Sequence, residues 1–326
     1  MRILVTGGSG FIGTNFVTAA ERRGLKLLNI DINPPLIPAH RKYWQELNIL
    51  DQEKLIKTFQ TFQPDRVLHL AARADVKGKT LEDYRVNIEG TANILEAIKK
   101  TLSIKRVIIT STQFVNQYHG KPKDDLDFAP HTIYGESKVI TEQLTRKAKL
   151  NCVWTIIRPT NIWGPWHRRY PNEFWKILSK GLYIHPRSVK TFRSYGYVGN
   201  IVFQIERILE APAHKVSGKV YYVGDIPIDL LDWVNGFSVK LTGRRAIVVP
   251  RVLIRLLAIL GDFLEATNIE FPITSSRYRS IITSNDAPIQ QTFTDFGNPP
   301  FTLDEGIEET VMWLRETHPQ IVRRSE

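Results

Sequence analysis

Short apolar segments alternate with longer amphipathic segments over the first half of the chain. The apolar segments are rich in strand-forming residues, as in "RILVTG", "LKLLNID", "DRVLHLAA", "KRVIITST" and "CVWTIIRP". Helical periodicity follows most of them, as in "FIGTNFVTAAERRG", "DQEKLIKTFQTF" and "LEDYRVNIEGTANILEAIKK". Strands that alternate with helices predict an α/β fold with a doubly wound parallel sheet, whose ligand binds beyond the carboxyl ends of the strands.

A glycine cluster separates the first predicted strand from the first predicted helix. It places Gly7, Gly10 and Gly13 in "TGGSGFIG", and the second predicted strand ends in Asp31, eighteen residues after Gly13. Glycines allow the backbone to turn tightly and to approach a pyrophosphate, and an acid at a strand end can bind a ribose diol. This order predicts a dinucleotide-binding site in a Rossmann-type sheet.

The first helix and Asp31 also favour one dinucleotide. The helix N-terminus, with Phe11 and Ile12 in its first turn, offers backbone N–H groups and positive partial charge to a phosphate. Asp31 would repel a 2′-phosphate, so the sequence predicts NAD as the cofactor. Arg41 and Lys42 follow closely, and for that reason the sequence alone leaves NADP open.

The stretch "HTIYGESK" places Tyr134 and Lys138 four residues apart, on one face of a predicted helix that continues to about residue 149. A phenol titrates near ~10, and a nearby ammonium favours the phenolate, so the pair can exchange a proton with an alcohol. The same spacing also occurs on solvated helix faces. The strand-end residues Thr110, Ser111 and Thr112 would bring a hydroxyl close to the pair.

Composition narrows the function classes. The 326 residues, 42% hydrophobic and 24% charged, suit a globular chain with one large core or two domains. The N-terminus lacks the apolar run of a signal peptide and Cys152 is the single cysteine, so we expect a cytoplasmic protein without disulfides. The net charge is +11, but the lysines and arginines are dispersed, so we expect an anionic small molecule rather than nucleic acid as the partner. No spacing suggests a bound metal.

The segment 246–266 is the most apolar of the chain. Pro250, Arg251, Arg255 and Asp262 interrupt it, which argues against a membrane span. We expect an amphipathic helix that packs on the protein body. Contact with a membrane surface, contact with a second subunit and a wall for an apolar pocket are the alternatives.

Taken together, the motifs resemble those of the extended short-chain dehydrogenases/reductases, in particular the NAD-dependent sugar epimerase/dehydratase family. The matching segments are "TGGSGFIG", "HLAA", "NIEGTANILEA", "ITST", "YGESK", "RPTNIWGP" and "LDEGIEETVMWL", in the family's order over most of the chain. The resemblance implies that Tyr134 is the catalytic acid/base and that Lys138 lowers its pKa and holds the nicotinamide ribose. It also implies that Thr112 orients the substrate hydroxyl, with Ser111 as the alternative.

The resemblance assigns further residues to the cofactor side of the site. Asn48 and Ile49 should edge the adenine, and Ala71 should lie near the central part of the cofactor. Asn87 should support the site. His69, in "HLAA", is expected to be structural, because Tyr134 already supplies the base.

The resemblance also implies the reaction. Tyr134 removes a hydroxyl proton while hydride leaves the same carbon for NAD, which gives a keto sugar. Return of hydride to the other face gives epimerisation, and loss of water from the neighbouring carbon gives dehydration. The family's 4,6-dehydratases carry an acid pair directly after the catalytic threonine, whereas this chain has Gln113 and Phe114. We therefore expect a nucleotide-sugar 4-epimerase, with a net reductase or dehydrogenase of a sugar or sterol-like alcohol, or a non-catalytic NAD sensor, as alternatives.

Candidate substrate ligands are scattered. Arg193 lies in "TFRSYGYVGN", which resembles a family element that binds the nucleotide diphosphate, although that element's acid is missing and Asn200 or Gly199 stands near its position. Arg193 can equally form a surface ion pair. Asn161 in "RPTNIWGP", Arg73 after "HLAA" and Arg277 in "TSSRYRS" are the other candidates.

Two further loops bear on the site: one differs in sequence from the family, and the other borders the substrate pocket in the family. In "VNQYHG", Asn116 replaces a tyrosine that the family usually carries. The cluster His167, Arg168 and Arg169 after "WGPW" is either solvated or available to an anionic group.

The resemblance also implies a division into two domains. Residues 1–165 with a returning segment 187–225 should bind the cofactor, and residues 166–186 and 226–326 should form a smaller substrate-binding lid. The helices in "LEDYRVNIEGTANILEAIKK" and "YGESKVITEQLTRKAKL" could form the four-helix bundle of a homodimer.

Overall fold

A computed structural model describes residues 1–117, 122–267, 271 and 273–322 of the chain. The strands, in chain order, are β1 (Arg2–Thr6), β2 (Lys26–Asp31), β3 (Trp44–Glu46), β4 (Arg66–His69), β5 (Arg106–Thr110), β6 (Val153–Pro159), β7 (Asn161–Trp163), β8 (Ile184–Pro186), β9 (Phe192–Arg193), β10 (Tyr195–Tyr197), β11 (Lys219–Val223), β12 (Ile228–Asp229) and β13 (Ile247–Val249).

The α-helices are also numbered in chain order. They are α1 (Phe11–Arg22), α2 (Gln52–Phe62), α3 (Arg85–Lys99), α4 (Ile133–Lys147), α5 (Lys176–Ser179), α6 (Val198–Glu210), α7 (Ala213–Val216), α8 (Leu230–Thr242), α9 (Arg251–Ala266), α10 (Ser275–Ile282), α11 (Gln290–Phe296) and α12 (Leu303–Thr317).

Seven strands form one parallel sheet in the order β11-β6-β5-β4-β1-β2-β3. The chain builds outward from β1 to β3 and then returns to the other side of β1 with β4. Strand order therefore reverses between β1 and β4, and a ligand of such a sheet binds beyond the carboxyl ends of the strands at this switch point. The predicted Rossmann-type doubly wound α/β fold is confirmed.

The sheet buries apolar side chains on both faces, as a parallel sheet does. Along β1, Ile3 and Val5 point into one hydrophobic cluster, which includes Phe16 of α1. Leu4 points to the other face, into a cluster that includes Phe59 of α2. This alternation follows from the two-residue period of a strand and places helices on both faces.

The chain divides into two compact units. The first comprises residues 1–162, 196–225 and 287–300, and the second comprises residues 163–195, 226–286 and 301–326. Relative to the predicted division, the return to the first unit begins at 196 rather than 187. Residues 187–195 stay in the second unit because β9 pairs with β12.

A third passage through the first unit, residues 287–300, was not predicted. It carries α11, which packs on β11 through two hydrogen bonds. Thr292 donates its hydroxyl to the Tyr222 carbonyl at 2.6 Å, and the Tyr221 hydroxyl donates to Asp295 at 2.8 Å. These side-chain contacts join segments some seventy residues apart, which local patterns do not encode.

The second unit has an aromatic core. Trp163, Trp175, Trp233 and Phe237 pack edge to face or tilted, with ring centroids 5.1–6.0 Å apart, and Phe174 stacks on Trp233 at 4.8 Å. Such pairs add to the free energy gained by burial. The apolar segment predicted as an amphipathic helix forms α9 in this unit, and none of the described helices is long and apolar enough to cross a membrane.

Candidate active site

The turn between β1 and α1 contains positions where only glycine fits, among them Gly7 and Gly13. Gly7 has a φ of +75°, and a Cβ atom there would lie 2.5 Å from the Ala71 nitrogen. A Cβ atom on Gly13 would lie 2.3 Å from the Gly7 carbonyl oxygen. Gly10 precedes α1 and offers no side chain to cap its first turn. The N-terminus of α1, with Phe11 and Ile12, thus begins beside an open backbone turn that suits a phosphate group.

Asp31 lies next to this turn, at the end of β2. Its carboxylate accepts hydrogen bonds from the Ser9 N–H at 3.1 Å and from the Asn33 N–H at 2.9 Å. The structure therefore brings the glycine turn and the predicted ribose-binding acid together. The sequence analysis missed Ser9, whose hydroxyl also accepts a bond from Asn29 at 3.1 Å.

The other predicted cofactor residues are placed as follows. Ala71 follows β4, and its N–H donates to the Thr6 hydroxyl at 3.3 Å. Ile49 is buried and packs over Gly90 of α3, where a Cβ atom would lie 2.4 Å from the Ile49 side chain. Asn48 is exposed and accepts the Leu50 N–H at 3.0 Å.

Tyr134 sits in the first turn of α4, which the Thr132 hydroxyl caps by accepting the Gly135 N–H at 3.0 Å. The phenol forms a side-chain hydrogen bond with Thr112, two residues beyond β5. Burial raises the pKa of Tyr134 to about 12, and the bond with Thr112 opposes this increase only in part. The resemblance led us to expect a lowered pKa, and the direction is the opposite because desolvation of the buried phenol outweighs the other effects.

Lys138 lies one turn further along α4 and is buried. Its ammonium donates a hydrogen bond to the Thr110 carbonyl at 2.9 Å, so it is held at the end of β5. Burial lowers the pKa of Lys138 to about 8, and the charge of Glu142 opposes this decrease. The tyrosine, the threonine and the lysine therefore come together at the carboxyl end of a central strand.

Ser111, the alternative to Thr112, takes part in a different arrangement. It donates its hydroxyl to Glu142 at 2.6 Å, and Glu142 forms a buried ion pair with Arg158 at 2.8 Å. The Arg158 guanidinium also donates to the Tyr222 hydroxyl at 2.9 Å. Tyr222 in turn donates to Asn116, so Ser111 belongs to a buried polar network behind Thr112.

The sequence analysis missed Glu142, although a signal for it was present. Glu142 follows Lys138 by four residues, as Lys138 follows Tyr134, so all three lie on one face of α4. In the loop "VNQYHG", Asn116 takes part in this network, and residues 118–120 lie outside the described part of the chain.

Asn87 links α3 to α4 and to the segment after β4. Its amide is fully buried, accepts the Arg73 N–H at 2.8 Å and donates to the Ser137 hydroxyl of α4 at 3.0 Å. The Arg73 side chain pairs with Asp75 at 2.9 Å. Its charge is therefore matched by a neighbour in the chain, which weakens its assignment as a substrate ligand.

His69 is buried at the end of β4. One ring nitrogen forms a hydrogen bond with the Thr6 hydroxyl at 2.7 Å, and the other forms one with the Thr91 hydroxyl at 3.1 Å. Burial lowers the pKa of His69 to about 3, and the charge of Lys138 adds to this decrease. A neutral ring held on both sides fits the expected structural role.

The remaining substrate candidates lie in different units. Asn161 begins β7 in the first unit and is half-buried. Arg193 is buried in β9 of the second unit and donates to the Ser280 hydroxyl at 3.3 Å. Arg277 lies on α10, is exposed and donates to the Phe271 carbonyl at 3.2 Å. Arg193 is therefore not part of a surface ion pair. Arg277 is exposed, so burial gives no support to its assignment as a substrate ligand.

The structure also places an acid near the position where the sequence lacks one. Asp225 accepts the Asn200 side-chain amide at 2.8 Å and the Tyr197 N–H at 2.7 Å. Burial raises the pKa of Asp225 to about 6. The acid is thus supplied by Asp225, which follows β11, and not by the segment "TFRSYGYVGN" that contains Arg193 and Asn200. Because Asp225 is distant in the chain, the pattern of that segment did not reveal it.

His167 has a structural role within the second unit. Its Nδ1 accepts the Tyr170 N–H at 3.0 Å, and its ring lies 4.0 Å from the Tyr170 ring. Burial lowers the pKa of His167 to about 3, and the charge of Arg169 adds to this decrease. A neutral His167 cannot attract an anion by charge, so that part of the predicted basic cluster is corrected.

A glycine turn with a strand-end acid, together with a Thr-Tyr-Lys set at the end of the fifth strand, defines an extended short-chain dehydrogenase/reductase. The chain belongs to the NAD dependent epimerase/dehydratase family, whose sequence model matches residues 3–224. The class of enzyme and NAD as the cofactor, both predicted from the sequence, are thereby confirmed. The glycine turn and Asp31 are the residues of this chain that fit NAD.

Two curated relatives of different activity are similar to this chain. An N-acetyl-alpha-D-glucosaminyl-diphospho-ditrans,octacis-undecaprenol 4-epimerase of Escherichia coli O157:H7 is 27% identical over 95% of this chain and 94% of its own length. A 3-beta-hydroxysteroid dehydrogenase of Mycolicibacterium neoaurum is 28% identical over 72% of this chain and 68% of its own length.

Solved structures share the fold. The UDP-glucuronic acid 4-epimerase of Bacillus cereus, in complex with UDP-glucuronic acid and NAD, has a TM-score of 0.73 at 21% identity, over 98% of this chain and 100% of its own. The UDP-glucose 4-epimerase of Thermotoga maritima has a TM-score of 0.72 at 22% identity, over 97% of this chain and 99% of its own. These similarities support the fold assignment.

Proposed function

We propose that the protein is an NAD-dependent 4-epimerase of a sugar carried on a diphosphate, the class that includes nucleotide sugars. The observation that carries the proposal is the hydrogen bond between Tyr134 and Thr112, with Lys138 buried one turn away at the end of β5. The 4-epimerases among the relatives and the solved structures support the same choice.

In the proposed mechanism, Tyr134 takes the proton of a sugar hydroxyl that Thr112 orients. NAD, when bound, supplies the hydride acceptor and later the hydride donor. The buried phenol keeps its proton at neutral pH, so it becomes a base only when positive charge favours the phenolate. Lys138, held by the Thr110 carbonyl, is a residue of this chain that can supply such charge.

The residues after Thr112 disfavour dehydration. Gln113 is buried, and its amide has no hydrogen-bond partner among the described residues. An amide can hold a substrate hydroxyl, but neither it nor the Phe114 ring can donate and accept a proton as an acid pair does. The keto sugar is therefore expected to take hydride back rather than lose water.

A second candidate is a net dehydrogenase of a sterol-like alcohol. The rings of Tyr84 and Phe114 pack around Tyr134, with centroids at 5.9 Å and 6.3 Å, and these apolar surroundings of the phenol favour an apolar alcohol. The 3-beta-hydroxysteroid dehydrogenase relatives support this alternative. A non-catalytic NAD sensor, a homodimer and a cytoplasmic location stay predictions.

Replacement of Tyr134 by phenylalanine tests the mechanism. Tyr134→Phe removes the phenol proton path, so epimerisation of a UDP-sugar or an undecaprenyl-diphosphate sugar, followed by NMR, should fall by about 10²-fold or more. The melting temperature should stay close to that of the wild type. Tyr43→Phe, which removes a hydroxyl bonded to Glu21 on the surface of the same unit, is the control and should keep full activity.

Equal turnover in Tyr134→Phe and the wild type would reject the mechanism, and no turnover in either would favour the NAD sensor. Mass spectrometry of the nucleotide released from denatured wild-type protein separates the two enzymes. Stoichiometric NAD that survives purification supports the epimerase, because it recycles its hydride. NADH that accumulates with a sterol alcohol supports the dehydrogenase.

A further inference from the structure

Helix α9 of the second unit presents an apolar face to solvent. Six of its large apolar side chains are between 46% and 70% exposed, namely Val252, Leu253, Leu256, Ile259, Leu260 and Phe263. Contiguous exposed apolar area of this kind usually marks a surface that contacts a partner or a membrane.

Helix geometry places these six residues together. At 3.6 residues per turn they span an arc of about 120°, and we call this arc the apolar face. The buried residues Ile254, Ala258 and Gly261 form a separate stripe beside it. Arg251, Arg255 and Asp262 lie on a third arc, and Glu265 lies in the last turn of the helix, in line with the buried stripe.

The buried stripe fixes the orientation of α9. A Cβ atom on Gly261 would lie 1.9 Å from the Ile273 carbonyl oxygen, so the helix lies directly against the segment that leads into α10. At its other end, the Arg251 guanidinium donates to the Ser188 carbonyl at 2.6 Å. Both ends of the helix are therefore anchored within the second unit while the apolar face stays exposed.

The surroundings of the apolar face are basic. The segments 180–190 and 244–261 contain no aspartate or glutamate, and the exposed acids of α9, Asp262 and Glu265, lie in its last two turns. Their lysines and arginines are all exposed: Lys180, Lys190, Arg187, Arg244, Arg245, Arg251 and Arg255. The two segments are neighbours, because β8 pairs with β13 and Arg251 donates to the Arg187 carbonyl at 3.3 Å.

We propose that α9 docks the protein onto the surface of a bilayer that contains anionic lipids. A helix with an apolar face and basic flanks lies in the plane of the interface, with its apolar side chains among the acyl chains and its cations at the headgroups. The sixteen residues of α9 fall short of the ~20 that a spanning helix needs, so the contact is peripheral.

The charge pattern distinguishes a bilayer from a second copy of this chain. A symmetric dimer through the apolar face would bring the same surface of both copies together. The seven exposed cations of each copy would then face those of the other, with only Asp262 and Glu265 of α9 to set against them. Anionic headgroups complement this charge.

Vesicle flotation tests the proposal. The wild-type protein should float with vesicles of phosphatidylcholine and phosphatidylglycerol at 3:1, and binding should fall at least tenfold with phosphatidylcholine alone or in high salt. The triple variant Leu256→Gln/Ile259→Gln/Phe263→Gln should lose binding by tenfold or more. Leu102→Gln changes a side chain that is 92% exposed in the first unit and should bind like the wild type.

Three results would overturn the proposal. The first is no flotation of the wild type with anionic vesicles, and the second is equal flotation of the triple variant. The third is a smaller mass for the triple variant than for the wild type by light scattering, since the face would then be covered by a second copy. Circular dichroism checks that the triple variant is folded. The double variant Arg244→Ser/Arg245→Ser keeps the apolar face and should still bind the anionic vesicles less than the wild type does, so a loss of binding would not depend on the triple variant alone.

Discussion

Helices α4 and α9 invert the usual relation between polarity and burial. Helix α4 is polar, yet eight of its fifteen residues are buried, including Lys138 and Glu142. Helix α9 is strongly apolar, yet only three of its sixteen residues are buried. The sequence composition of either helix alone would place it on the wrong side of the protein surface.

The difference shows what overrides hydrophobicity in each case. Lys138 and Glu142 of α4 are buried because each finds a partner, Lys138 at the Thr110 carbonyl and Glu142 at Arg158. A buried polar group without such a partner would cost free energy. The apolar face of α9 has no comparable reason to be exposed within a single chain. Burial on α4 thus indicates a site, and exposure on α9 indicates a contact.

The largest expected effect comes from breaking the ion pair of α4. Glu142→Gln leaves the fully buried guanidinium of Arg158 without its counter-charge, so the free energy of unfolding in urea should fall by about 3–5 kcal/mol. The control is Glu89→Gln, which breaks an exposed pair with Arg85 on α3 and should cost less than about 0.5 kcal/mol. Equal losses of unfolding free energy in both variants would show that the buried ion pair contributes no more to stability than the exposed one.

A smaller effect is expected from the titration of Lys138. Its pKa is lowered to about 8 in the folded chain and lies near ~10.4 in the unfolded one. Between these values the unfolded chain binds more protons, so stability rises with pH. From pH 7 to pH 9.5, the wild type should gain about 2 kcal/mol of unfolding free energy relative to Lys138→Met. Parallel pH curves for the two proteins would contradict the lowered pKa.

The smallest effect should come from the exposed side of α9. Leu256→Ala removes an exposed side chain and should change the free energy of unfolding by less than about 0.5 kcal/mol. On the buried stripe of the same helix, Ile254→Ala should cost about 2–5 kcal/mol, because it leaves a cavity. Chemical denaturation measures both, and a large loss in Leu256→Ala would mean that the apolar face already packs within the folded protein.

Features that depend on neighbours in the chain could be predicted from the sequence. The strand, glycine turn and helix around Gly7 and Gly13, the strand end at Asp31 and the placement of Tyr134 and Lys138 on one helix face all follow from local spacing. The pairing of Arg73 with Asp75 is local as well, and the two-residue spacing could have revealed it.

Features that depend on distant segments could not be predicted. Glu142 finds Arg158 on the next strand and, through it, Tyr222 on the edge strand β11. Asn200 finds its acid at Asp225. The pKa of Tyr134 moves opposite to expectation because the depth of burial, which a sequence does not specify, decides the sign.

Two histidines with strongly lowered pKa values, His69 and His167, limit the tolerance of the fold to acid. His69 in the first unit and His167 in the second each have a pKa near 3 in the folded chain, compared with about 6.5 when unfolded. Their contribution to stability is complete above pH 6.5 and is lost as the pH falls, at about 1.4 kcal/mol per pH unit for each ring. Between about pH 6.5 and pH 3 the two imidazole rings bind protons in the unfolded chain but not in the folded one, and this holds for both units. The interior of this protein is thus suited to surroundings that stay near neutral pH.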